Sequence, residues 1–115
     1  MTSATRIEKL RTMSFASIYD LLVAKVVKKG RSVDEIDRIV VWLTGYAKDR
    51  LYELIASGVT LAEFWDNASI HPNALHIKGS ICGVKIEDIE DPFLKKVRYL
   101  DKLVDDLARG KSVLL

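Results

Sequence analysis

The residues best suited to chemistry gather in one stretch, "NALHIKGSICGVKIEDIEDP", residues 73–92. It holds the single cysteine, Cys82, one of the two histidines, His76, and four carboxylates at Glu87, Asp88, Glu90 and Asp91. A cysteine beside a histidine could form a nucleophile and base, and the same side chains could ligate a metal. Paired carboxylates could divide acid and base roles if burial separated their pKa values. Each possibility has a structural rival. His71, His76 and Cys82 are spaced five and six apart, unlike the short paired spacings of structural zinc sites, and no second cysteine exists. The four carboxylates lead into a helical pattern, where acids serve as caps that the helix dipole favours. No catalytic residue, metal site or cofactor is assigned from this stretch.

The elements that must position these groups are mostly helices. Residues 1–12 have no clear period and read as a flexible or partly helical N-terminal arm; residues 13–115 read as a single helical domain. Ser14 caps a helix over "FASIYDLLVAKVVKK", which stops at Gly30. Ser32 and Glu35 form a capping box for a second helix to about Leu43, with Ile36, Ile39, Val40 and Leu43 inward. A third runs from Lys48 to Ser57. Thr60 and Glu63 offer a second box for a short helix whose apolar side is Leu61, Phe64, Trp65 and Ala68. "NASIHPNA" is a loop. Asp91 and Pro92 open the last helix, which runs to Arg109.

Between loop and last helix the pattern predicts a β-hairpin. With Gly79 and Ser80 at the turn, Lys78 pairs with Ile81 and Ile77 with Cys82. One face then collects Leu75, Ile77, Cys82, Val84 and Ile86, and only Ile81 falls on the wrong side. In that register Cys82 is a small buried hydrophobe, with His76 on the opposite face. The fold class expected is therefore mainly α: a compact bundle of about five helices with a short β-hairpin before the C-terminal helix.

Composition narrows the function. The chain has 115 residues, 49% of them hydrophobic and 30% charged, which is enough for one domain to bury a core without disulfides or metal. The N-terminus lacks the apolar stretch of a signal peptide, and no apolar run approaches a membrane span. A cytoplasmic location is expected, with no membrane partner. The net charge of +2 hides an asymmetry: residues 1–31 carry seven bases and two acids, +5, and the remainder is −3. A basic end can meet nucleic acid or an acidic partner, but no aromatic residues interleave with these bases. "LYELIASGVTLAEFWDNA" resembles a helix-turn-helix, with Lys78 and Lys85 as a wing. Its second helix offers Glu63 and Asp66 to the phosphates, so a winged-helix-like nucleic-acid binder is the least favoured reading.

Two readings of different class remain. One is a non-enzymatic interaction or regulatory module that forms a homodimer and binds an unknown protein partner. Val97, Leu100, Val104 and Leu107, spaced 3-4-3, are its candidate seam, with packing inside the bundle as the alternative. The other is a small-molecule binder or enzyme with a pocket near Trp42, Tyr46, Trp65 and His76. The first is preferred, because no catalytic constellation withstands its structural rival.

"MSFASIY", "KKGR", "WLTGY", "NALHIKGSICGVKIEDIEDP" and "RYLDKLVDDLARGK" occur in an order that resembles a family of small bacterial proteins known as domain of unknown function 2200. The resemblance spans Met13 to Lys111. It implies a small, mainly helical, cytoplasmic bacterial protein and carries no activity, cofactor or catalytic residue. Two positions depart from the family pattern: His71 stands where asparagine is common, and Ala47 where an acidic residue is common.

Overall fold

Six α-helices and one short hairpin make up the computed structural model, which describes residues 3–81, 83–111 and 113. The helices are α1 (Ser3–Thr12), α2 (Phe15–Lys28), α3 (Val33–Thr44), α4 (Lys48–Ser57), α5 (Leu61–Asp66) and α6 (Pro92–Ala108). Strands β1 (Ser80–Ile81) and β2 (Val84–Lys85) pair antiparallel just before α6. The radius of gyration is 13.4 Å, close to the roughly 13 Å expected of a single domain this long. The mainly helical class and the hairpin before the last helix are as the sequence suggests.

The caps explain most of the boundaries. Ser14 Oγ accepts from Ser17 N at 3.2 Å. Ser32 and Glu35 complete their reciprocal box, and Asp91 accepts from Leu94 N at 2.9 Å with Pro92 behind it. Each satisfies an amide that the first turn of a helix leaves free. Only the Thr60 half of the second expected box forms among the described residues, with Glu63 N donating to Thr60 Oγ1. That segment is also held by a bridge between Ser14 and Thr60, in which Phe15 N donates to Val59 O and Leu61 N to Met13 O. The entrances of α2 and α5 are thus pinned together.

α6 lies at the centre, against α2, α3, α5 and β1. Val97, Leu100, Val104 and Leu107 are all buried, in one cluster with Phe15, Val26, Ile36, Val40 and Phe64. Phe15 and Phe64 stack with centroids 3.7 Å apart. The 3-4-3 stripe of α6 is therefore occupied within the chain. The residues expected as an arm hold α1, which packs on α5. Arg11 of α1 also reaches α6, its guanidinium 4.8 Å over the Phe93 ring, a cation–π contact.

The hairpin register differs from the expected one. Ser80 pairs with Lys85 and Ile81 with Val84, so the chain reverses between Ile81 and Val84, beside Gly83 at φ +79°. Ile81, the misfit of the expected register, is buried, whereas Leu75 and Val84 are exposed. Gly79 is used differently: its carbonyl accepts from Ile86 N at 2.9 Å and its amide donates to Glu87. The expected burial of Cys82 concerns a position outside the described residues.

"NASIHPNA" has a definite task. Ser69 N donates to Thr44 O at 2.8 Å and His71 N to Leu43 O at 3.0 Å, satisfying the last carbonyls of α3. Gly45 permits this close approach: at φ +76°, a Cβ there would lie 3.0 Å from Ser69 O.

Candidate functional site

α3 presents the most unusual polar arrangement in the molecule. Its apolar face should be uniform, yet Asp37, beside Ile36 and Val40, is only 2% exposed. A buried carboxylate is tolerable only when hydrogen-bonded. Tyr19 of α2 donates to Asp37 Oδ1 at 2.5 Å, and Tyr52 of α4 donates to Oδ2. One carboxylate thereby ties three helices. Burial, reinforced by the Asp37 carboxylate, pushes the Tyr19 phenol well above its ordinary value. The hydrogen bond to Asp37 likewise raises Tyr52. Phenols that hold their protons this firmly are poor acids and poor nucleophiles at neutral pH. The cluster is suited to holding helices together.

Two clefts flank Arg38, the next residue of α3. The first, about 360 Å³, is lined by Asp34, Asp37, Arg38, Val41 and Lys48. Its acids are engaged: Asp37 by the two phenols, and Asp34 by Lys48 at 3.7 Å. The second, about 230 Å³, lies between α3 and the end of α6, lined by Arg31, Glu35, Arg38, Ile39, Leu107, Lys111 and Val113. It gathers three cations around one carboxylate. Glu35 pairs with Arg31, and the Ser32 amide, followed by Arg31, holds its carboxyl below the usual range. A third cleft, also about 230 Å³, separates α1 from β2 and α6, between Arg6, Ile7, Leu10, Val84, Leu94 and Arg98.

The aromatic candidates are placed separately. Trp42 is half-buried and stacks on His71, centroids 4.4 Å apart. Tyr46 donates to Phe64 O at 2.6 Å. Trp65 is 1% exposed and meets Phe64 edge-on at 5.1 Å; its Nε1 has no hydrogen-bond partner among the described residues. His76 is exposed at the end of a 3-10 turn, Pro72–His76. Phe64 thus joins Tyr46 to Trp65, Trp42 faces His71, and His76 stands apart.

Two of the four acids before α6, Glu87 and Asp91, have structural tasks. Glu87 accepts from the Gly79 amide, and backbone hydrogen bonds, its own and that of Gly79, hold it below the usual carboxylate range; Asp91 is the cap. His71 Nδ1 accepts from Asn73 N at 3.0 Å, the bond an asparagine side chain makes at the same place in a turn. Among the described residues no three His, Cys, Asp or Glu side chains gather as metal ligands, and no helix is long and apolar enough to cross a membrane.

Sequence reasoning missed Asp37. The signal was present: an acid inside the buried arc of α3, between Ile36 and Val40, has to find donors.

The molecule is thus a small helical module with a polar latch at Asp37 and a basic cleft beside it. The chain belongs to the DUF2200 family, described as an uncharacterized protein conserved in bacteria, whose family model matches residues 9–114. No curated protein matches. A solved structure described as the crystal structure of uncharacterized protein SP1917 is similar, with TM-score 0.87 and 42% identity over 91% of this chain and 87% of that one.

Proposed function

We propose that this protein is a non-enzymatic interaction module that pairs with a second copy of itself through the outer face of α2. The observation that carries this reading is the self-complementarity of that face. Ser17, Asp20, Leu21, Ala24, Val27 and Lys28 are all exposed and, at 3.6 residues per turn, fall within an arc of about 120°. Leu21 is 65% and Val27 53% exposed; two large aliphatics on one polar helix face suit a contact.

In an antiparallel crossing centred on Ala24, positions equidistant from it come level across the seam. Asp20 meets Lys28 of the second copy, and Leu21 comes level with Val27 of the second copy. The small Ala24 at the centre permits close approach. Such a contact is isologous and therefore closes as a dimer. One helix face is smaller than the roughly 1,200–2,000 Å² of a standard stable interface, so the pairing is reversible and depends on concentration.

Sedimentation velocity over a range of concentrations tests this. Wild type is expected to shift from monomer to dimer, and Leu21→Glu to remain monomeric. Asp20→Lys should weaken pairing, and adding Lys28→Asp should restore it. A wild type that stays monomeric throughout, or a charge swap that restores nothing, would overturn the reading.

A further inference from the structure

The cleft between α3 and the end of α6 concentrates like charge without answering it. Arg31, Arg38 and Lys111 line it, and Glu35 is the single acid. Glu35 is already committed: it accepts from Ser32 N and Ser32 Oγ and pairs with Arg31. Arg38 and Lys111 have no ion-pair partner among the described residues. Arg31 adds a second observation. Its Nη2 reaches Glu35, but its Nε is closed off from solvent with no acceptor among the described residues. A buried donor without an acceptor is costly, and three cations facing one cavity repel one another. A bound oxyanion relieves the repulsion among the three cations that line the cleft.

The rest of the lining specifies what carries that oxyanion. Ile39 is 1% and Leu107 3% exposed, and together with Val113 they form an apolar floor. At about 230 Å³, the cleft is smaller than the roughly 300–1,000 Å³ of drug-sized sites. We infer that this cleft binds a small organic acid, its oxyanion held by Arg31, Arg38 and Lys111 and its short hydrocarbon body against Ile39, Leu107 and Val113. Guanidinium groups present paired N–H donors that match a carboxylate. The site is separate from the α2 face and does not depend on pairing.

The experiment is a titration of the full chain with hexanoate, inorganic phosphate and hexanol, followed by calorimetry and by the methyl resonances of Ile39 and Leu107. Hexanoate should bind and shift both residues, with phosphate and hexanol each weaker by about tenfold or more. Arg38→Gln and Lys111→Gln, both at exposed positions, should each weaken hexanoate by about tenfold while leaving the circular dichroism spectrum unchanged. Phosphate binding as tightly as hexanoate would overturn the apolar half of the inference, and hexanol binding as tightly would overturn the ionic half. Hexanoate binding that ignores both substitutions, or no hexanoate binding at all, would overturn the whole.

Discussion

The two clefts on either side of Arg38 use polar groups in opposite ways. On one side, Asp37 is buried and both its oxygens are taken by the phenols of Tyr19 and Tyr52. On the other, Arg31, Arg38 and Lys111 line one cleft, and among the described residues Arg38 and Lys111 have no counter-ion. A satisfied buried network fixes the helices that supply it, whereas exposed cations without counter-ions leave the second cleft with a positive potential. Burial of a polar group alone therefore does not mark a binding site; what distinguishes the two clefts is whether the group already has its partners.

That contrast can be broken first at Asp37. Asp37→Ala leaves two donors without their acceptor and should cost about 3 kcal/mol, read by urea unfolding. Tyr19→Phe should cost about 2 kcal/mol, the worth of a buried hydrogen bond to a charged group. Tyr52→Phe should cost less, because Tyr52 is 41% exposed and water can replace part of its bond. A larger loss at Tyr52 than at Tyr19 would reverse the ranking of the two phenols.

The same pair gives a pH dependence. Both phenols have folded pKa values raised above the ordinary value near 10. A raised pKa means that the folded chain holds the proton more tightly than the unfolded one. Their contribution to stability is therefore complete below pH ~10 and declines as pH climbs from there toward the raised values. Urea midpoints measured from neutral to strongly alkaline pH should show this fall in wild type and a shallower one in Tyr19→Phe.

A smaller effect sharpens the latch. Ala47 is the cap position of α4, the helix that carries Tyr52, and it makes no side-chain cap. Ala47→Asp should add about 1 kcal/mol of stability by accepting from the first turn of α4. The smallest effect is expected on the other side of Arg38. Arg38→Gln should change stability by less than about 0.5 kcal/mol, since Arg38 is exposed and makes no ion pair among the described residues.

The parts of this molecule that were legible in the sequence are those decided locally. Ser14, Ser32 and Asp91 cap their helices because a cap needs only the three residues that follow it. The stripe of α6 was equally plain, but whether a second copy or the same chain covers it depends on where α2, α3 and α5 return, which no spacing on α6 records. The hairpin register went astray for a related reason. Gly79–Ser80 satisfies turn chemistry, yet Gly79 is needed by Ile86 and Glu87, and Ile81 is drawn into the core. Neither demand appears in a count of alternating residues. The basic cleft was invisible because Arg31, Arg38 and Lys111 are brought together only when α6 folds back along α3.

That return of α6 also bears on how the chain folds. Lys25 and Asp105 lie 80 positions apart and meet at 3.0 Å, one of the contacts that seat the central helix on α2. Contacts so distant along the chain require a long loop to close before they yield any stabilisation. Neighbouring pairs such as α2 with α3 can associate early, whereas the seating of α6 waits on the search of most of the polypeptide. The rate-limiting barrier should then lie at α6 docking, and folding should be slower than in an up-and-down bundle of equal length, where each helix meets the next in sequence.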